Sequence, residues 1–224
     1  VEAPYGTVPC QPHGQPFAKP ATDDPRIDVH VIPGLKQTDN PDDMRGEETQ
    51  IAGLLKAMPT FDGVACLPGT HTKWVHISAG EVVSFRTFMT GELFGLIAKT
   101  SVLRHSIGSG WDDETFAKAV TDALSRPEAM AANLFAIRAD QLLNATDPGH
   151  AKARLSGLLI GAELAAAKPY WLGQNIILIG EQTLSKHYAT ALQTQGAPAH
   201  IADATQTTLA GLASARALTQ EPAE

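Results

Sequence analysis

The chain has 224 residues, 43% of them hydrophobic and 18% charged, too apolar for a disordered segment and long enough for one large domain or a domain plus a fragment. Lys plus Arg number 17 against 24 Asp plus Glu, a net charge of −7, and no basic run occurs, which excludes the electrostatic footprint of a nucleic-acid binder. The longest mainly apolar stretch, Leu155 to Ala167, contains Glu163 and falls short of the roughly twenty residues that cross a bilayer.

Nine of the 15 prolines fall in the first 60 residues, and Pro4 to Pro25 mixes Pro, Gly and polar residues without an apolar period, so this segment reads as irregular. The chain opens at Val1 without a methionine and is expected to begin inside a longer protein. Ile27, Val29 and Val31 alternate with Asp28 and His30, predicting a half-buried strand that Pro33-Gly34 ends. A polar loop with Asp39, Asp42 and Asp43 follows. Ile51, Leu54, Leu55 and Met58 then fall at helical spacing behind a first turn carrying Glu47 and Glu48, where negative charge suits the helix dipole.

Val64 to Leu67, Lys73 to Ser78 and Val82 to Phe88 read as strands joined by tight turns at Pro68-Gly69-Thr70-His71 and Ala79-Gly80. Helical periodicity takes over at Leu93, Phe94 and Ile97, at Phe116 to Ala123, at Met130 to Ile137 and at Leu155 to Ala162. Asn175 to Ile179 is an apolar run ending at Gly180, followed by a helix from about Thr183 to Gln195, a strand over Ala199 to Ala202, and a closing helix through Leu209, Leu212 and Ala217. Tight turns force antiparallel neighbours and strand–helix–strand units force parallel ones, so the sheet is expected to be mixed. The fold class expected is α/β, in the order of a ribonuclease-H-like layer with flanking helices.

The hairpin Leu67-Pro68-Gly69-Thr70-His71-Thr72-Lys73 combines a glycine, hydroxyls and a cation, which can present donors to a phosphate. Most such turns merely turn. Glu47 and Glu48 can complement the helix dipole or act as a general base facing that hairpin. Gly180-Glu181-Gln182-Thr183 follows a strand and opens a helix, the position at which open α/β sheets receive nucleotides. Tyr170, Trp171 and Gly173 read as core and loop filling. The eight histidines and two cysteines show no zinc spacing, and Cys10 and Cys66 make no disulfide framework. With no basic region and apolar core at the start of the chain, a reducing, cytoplasmic location is the expectation.

Taken in order, Met44-Arg45-Gly46-Glu47-Glu48-Thr49-Gln50, Leu67 to Trp74, Phe85 to Leu93 and Ser156 to Glu163 resemble the signature blocks of the 2-dehydro-3-deoxygalactonokinase family, from about Val31 to the C-terminus. The resemblance implies the actin-like sugar-kinase superfold, two ribonuclease-H-like lobes closing over Mg-ATP, with ATP as co-substrate and Mg2+ as cofactor. It implies phosphorylation of the terminal C6 hydroxyl of 2-dehydro-3-deoxy-D-galactonate. By the same resemblance Glu47 is the first candidate base and Glu48 the second. Gly69, Thr70, His71 and Lys73 fall to phosphate, and Gly180, Glu181 and Thr183 to the adenosine-binding turn. Arg45 is expected at the substrate carboxylate, since an arginine can bind it bidentately, and Thr90 and Glu92 are placed with the substrate as well. Residues 1–46 are expected to be the end of the first lobe, 47–60 an interdomain helix and 61–224 a complete second, nucleotide-binding lobe.

One departure stands out: the family's first lobe begins with an Asp-Trp-Gly-type segment that cradles phosphate and anchors magnesium, and these 224 residues contain no such segment. A non-catalytic nucleotide-binding lobe of the same superfold is therefore the alternative function, and a metal-dependent hydrolase a third reading resting on scattered histidines and acids. Only the resemblance selects the galactonate-derived epimer over the gluconate-derived one. A homodimer is the default assembly.

Overall fold

The structure is a computed structural model and describes residues 4–220. Its main sheet has five strands: β4 (Gly63–Leu67), β5 (Thr72–Ser78), β6 (Glu81–Phe88), β7 (Ile176–Gly180) and β8 (Ala199–Asp203), in the spatial order β6-β5-β4-β7-β8. β4–β5 and β5–β6 are antiparallel, whereas β4–β7 and β7–β8 are parallel. This is the mixed ribonuclease-H-like order that the turns and strand–helix units predict.

Alternation along the strands builds two cores. Val64 and Cys66 of β4, Trp74 of β5 and Ile176 and Leu178 of β7 face one side. There they meet α3 (Asp113–Ser125), α5 (Pro148–Ala166) and α7 (Gln182–Gln193) through Phe116, Ile160, Leu164 and Tyr188. Ala65, Leu67, Val75, Ile77, Ile177 and Ile179 face the other side and pack on Ile51 and Leu54 of α1 (Glu47–Ala57). α5 is buried on nearly every side, as a helix apolar all round must be, and Asp147 caps its first turn by accepting from Gly149 N–H at 2.7 Å. A third core joins α5 to α3 (Ala119, Ala123), to α2 (Thr90–Thr100; Phe94, Ile97) and to α4 (Met130–Asn144; Ile137) through Leu155 and Leu158. The short α6 (Lys168–Trp171) turns the chain into β7; Trp171 is 3% exposed and its indole N–H donates to Leu164 O at 2.8 Å, so this aromatic is core filling.

The last helix, α8 (Ala204–Gln220), lies across α1. The two backbones come together at a pair of glycines. A Cβ on Gly53 would stand 1.8 Å from Thr207 O, and one on Gly211 would stand 1.9 Å from Thr49 O. Only residues without side chains permit that approach, and it fixes the helix that carries Glu47.

The N-terminal region departs from the sequence expectation in two places. Ile27 to Val31 forms no strand; Ile27 is 54% exposed, and among the described residues the segment pairs only through one bridge between Val31 and Ala18. Apolar alternation makes a strand only where a partner supplies the hydrogen bonds. The expected polar loop instead contains strands: β2 (Leu35–Gln37) pairs antiparallel with β3 (Asp42–Met44) and parallel with β1 (Gly6–Thr7). This small sheet is tied to the large one. Leu35 and Met44 share the core of Val82 and Phe85, Gln37 Nε2–H donates to Phe85 O at 2.8 Å, and the Asp42 carboxylate accepts from Thr87 N–H at 2.7 Å.

Candidate active site

The parallel strands β4 and β7 both end, at Leu67 and Gly180, on the edge where the 67–73 hairpin and the first turn of α7 meet. Ligands of open α/β sheets bind at such carboxyl ends. Two glycines press the surrounding elements together: a Cβ on Gly91 of α2 would stand 2.2 Å from Gly69 O, and one on Gly180 would stand 2.9 Å from Pro68 O. Glu92 N–H donates to Thr70 O at 2.9 Å. A Cβ on Gly69 itself would meet nothing nearer than His71 O at 3.8 Å, so the protein's own packing does not demand that glycine.

A cavity of about 400 Å3 opens on this edge, lined by Glu47, Gln50, Leu67 to His71 and Ile179 to Glu181. Glu47 thus faces the hairpin across open space, its side chain 26% exposed. It is oriented from behind: Arg45 N–H donates to Oε2 at 3.1 Å, and Lys73 Nζ lies 3.8 Å from Oε1. Gly46, at φ 110, makes the left-handed turn that starts α1 beneath it.

Glu48 stands elsewhere. It is 2% exposed, accepts from Gly46 N–H at 2.6 Å and from the Thr49 hydroxyl at 3.1 Å, and does not line the cavity. Burial raises its pKa against the pull of those hydrogen bonds. Its position is that of a capping group for α1. Lys73 also differs from expectation: it is 5% exposed, donates to Asp43 O at 2.9 Å and Thr87 Oγ1 at 3.0 Å, and lines neither the Glu47 cavity nor the groove beyond the hairpin. Strand alternation contains the reason, because Lys73 shares its face with Val75 and Ile77, opposite Trp74.

His71 lines the cavity with its Nε2 2.6 Å from Glu92 Oε2, so Glu92 braces the hairpin from α2, while Thr90 lines the groove on the hairpin's other side. The Arg45 guanidinium lies 4.4 Å over the Tyr5 ring. Glu181 caps α7 by accepting from Leu184 N–H at 2.9 Å, and backbone hydrogen bonds hold its pKa below the usual carboxylate value.

A second cavity, of about 410 Å3, runs from the same Pro68-Gly69-Thr70 turn and Glu181 into a largely apolar groove between α2, α5 and α7. Phe94, Leu159, Ile160 and Leu184 supply aliphatic and aromatic wall, Thr90, Ser156, Thr183 and Tyr188 supply hydroxyls, and Lys152 a cation. Trp111 and His187 stack at its side with centroids 4.0 Å apart and planes 9° from parallel. Burial lowers the His187 pKa, which favours the neutral ring in that stack. Sequence reasoning missed Trp111, His187, Phe94 and Lys152, which lie on separate elements and form no local motif.

Beneath the groove Glu163 is 3% exposed and accepts from Trp74 Nε1–H and Tyr188 O–H, each at 2.8 Å. Burial raises its pKa from 4.5 to about 7. The folded state therefore holds this proton more tightly than the unfolded chain does. The stability it contributes is complete below about pH 4.5 and is lost as pH rises to about 7, a change of about 3 kcal/mol. Urea midpoints at the two ends of that range are expected to show the loss in the wild type and not in Glu163→Gln.

Among the described residues no group of three or more His, Cys, Asp or Glu is arranged to hold a metal, and no helix is long and apolar enough to cross a membrane.

The five-stranded order, the helices on its face and a cleft at the carboxyl ends of β4 and β7 define an α/β lobe of the actin-like, ribonuclease-H type. Its sequence places it more narrowly. The chain belongs to the 2-keto-3-deoxy-galactonokinase family, whose pattern it matches over residues 1–215. It is 43% identical over 202 residues to a Rhizobium meliloti protein that carries the name 2-dehydro-3-deoxygalactonokinase, covering 85% of this chain and 65% of that one. It is 39% identical over 176 residues to the Escherichia coli 2-dehydro-3-deoxygalactonokinase, covering 75% of this chain and 58% of that one. The chain thus spans about three fifths to two thirds of the length of these relatives. A crystal structure described as a 2-dehydro-3-deoxygalactonokinase protein from Sinorhizobium meliloti superposes with a TM-score of 0.89 at 36% identity, over 97% of this chain and 75% of that one. Component A of the Acidaminococcus fermentans (R)-2-hydroxyglutaryl-CoA dehydratase shares the fold alone, at 13% identity and a TM-score of 0.51, over 79% of this chain and 70% of that one.

Proposed function

We propose that the chain carries the nucleotide side and the catalytic base of an enzyme that transfers the γ-phosphoryl group of ATP to the C6 hydroxyl of 2-dehydro-3-deoxy-D-galactonate, giving the 6-phosphate and ADP. The observation that supports it is the shared wall: Gly69, Thr70 and Glu181 line both the Glu47 cavity and the apolar groove. A nucleotide with its base beside Trp111 and His187 brings its phosphates to the hairpin, and its γ-phosphate then faces Glu47. On this reading residues 1–46 belong to the sugar side, 47–60 join the sides and 61–224 hold the nucleotide.

The chemistry follows from that placement. The C6 hydroxyl lies between Glu47 and the γ-phosphorus; Glu47 takes the hydroxyl proton while the oxygen bonds to phosphorus and the bond from phosphorus to the β–γ bridging oxygen breaks. Arg45 N–H and Lys73 keep the carboxylate aimed during this step. Hairpin amides and the start of α2 offer donors to the phosphate oxygens. With Glu47 reserved for the proton, Glu181 is the carboxylate the cavity would offer to a magnesium ion, which kinases usually hold through one or two carboxylates plus the nucleotide phosphates and which would neutralise charge on those phosphates.

Calorimetry with Mg-ADP and a coupled assay with the galactonate-derived and gluconate-derived epimers test the proposal. Nucleotide binding is expected, with turnover of the galactonate epimer by a protein that spans the relatives' full length. No binding of Mg-ADP would reject it. Trp111→Ala removes one ring of the groove and is expected to weaken Mg-ADP about tenfold, the scale of one lost base-stacking contact.

A further inference from the structure

Glu163 is a carboxyl that the transfer step leaves unused, yet elements on three sides converge on it. Trp74 of β5 and Tyr188 of α7 each donate to it at 2.8 Å, and the Thr90 side chain at the start of α2 also hydrogen-bonds it. The chain of contacts continues outward: Tyr188 O lies 3.0 Å from Thr72 Oγ1, which is fully buried at the foot of the hairpin.

A phenol has one hydrogen, and an indole N–H can only donate. While Glu163 is ionised, Tyr188 gives its hydrogen to the carboxylate, so Thr72 must donate to Tyr188. A protonated Glu163 has a hydrogen of its own to place. Trp74 cannot accept it, whereas the hydroxyls of Tyr188 and Thr90 can; with the hydrogen on Oε2, which Tyr188 meets at 2.8 Å, the Tyr188 oxygen accepts it and Tyr188 turns its own hydrogen to Thr72. The same atoms thus support two opposite directions of hydrogen bonding.

We propose that Glu163 is a positioning residue of the cleft: one proton on its carboxyl reverses the chain through Tyr188 to Thr72 and resets the hairpin that faces both cavities. The phosphate-holding role of that hairpin is taken from the function proposed above. Burial brings the Glu163 titration to about 7. The titratable groups facing it are Cys66 of β4 and Tyr188 of α7, both raised by burial, so they stay protonated while Glu163 changes.

The test is tryptophan emission of the chain from about pH 5 to about pH 9, with Mg-ADP affinity measured over the same range. The wild type is expected to show an emission transition near neutrality whose Trp74 component is absent from both Trp74→Phe and Glu163→Gln. Mg-ADP affinity is expected to shift about threefold or more across that transition, a coupling between one proton and one ligand. Glu163→Gln should be flat and resemble the acid limb, because its amide NH2 donates to Tyr188 as the protonated acid does. Tyr188→Phe keeps the carboxyl but cuts the chain to Thr72, so the emission transition should persist while the affinity shift disappears. A Trp74 transition that survives in Glu163→Gln, or an affinity shift that survives in Tyr188→Phe, would overturn the proposal. An emission transition with no Mg-ADP binding at any pH would instead reject the nucleotide reading and the positioning role with it.

Discussion

Glu47→Gln, in a protein that spans the relatives' full length, is expected to lower kcat by about a hundredfold or more while Mg-ADP affinity stays unchanged. Glutamine is nearly isosteric, and its carbonyl oxygen can still accept from Arg45 N–H, so the start of α1 should survive. What disappears is the ability to take a proton from the sugar hydroxyl. The groove beside Trp111 and His187 does not include Glu47, which is why binding and turnover should separate. Glu48→Gln is the matched control. Glu48 accepts from Gly46 N–H and the Thr49 hydroxyl inside the fold, so its loss should lower the urea midpoint and leave kcat within a few-fold, roughly the scale of a lost cap. An unchanged kcat in Glu47→Gln would remove Glu47 from the chemistry.

The candidate site was legible in sequence only where it is local. Glu47, Gly69 to His71 and Gly180-Glu181 each sit in a short segment whose turn or helix start can be read directly, and all line one cavity. Trp111 and His187 stack at 4.0 Å although 76 positions separate them, and no periodicity links a loop residue to a residue of α7. Lys73 is the instructive middle case. Its neighbours in the motif suggested a phosphate contact, but it lies on the same strand face as Val75 and Ile77 and therefore points to the core that holds Leu35 and Met44.

The same division runs through the fold. Two tight turns order β4 to β6 and one strand–helix–strand unit sets β7 beside β8, because each rule constrains immediate neighbours in the chain, whereas the β4–β7 pairing that joins the two sets links strands far apart in sequence. β3 is Asp42-Asp43-Met44, a sequence with poor strand propensity, and it exists because Met44 enters a distant core and Asp42 accepts from Thr87 N–H. Ile27 to Val31 has the opposite character, good alternation with, among the described residues, no strand partner beyond one bridge. Tertiary pairing decided both.

Gly53→Ala is expected to destabilise the chain by about 3 kcal/mol or more, the upper range for an overpacked contact. The new methyl would stand 1.8 Å from Thr207 O, and backbone on both sides leaves no flexible side chain to yield. α1 and α8 must separate, and Ile51 and Leu54 on α1 then lose part of the core they share with Phe61 and Val75. Gly95→Ala supplies the opposite sign: a Cβ there meets nothing within 4 Å, α2 is helical at that position, and alanine should add roughly 0.5–1 kcal/mol of stability. Urea denaturation of both variants measures the difference, and equal midpoints would show that the α1–α8 crossing does not bear on stability. The effect also reaches the chemistry, because α1 carries Glu47 at its first residue. Separating the helices rotates that carboxylate against the hairpin, so a Gly53→Ala protein that still folds should retain Mg-ADP binding and lose kcat, by the same logic that makes small misplacements of a reacting group costly.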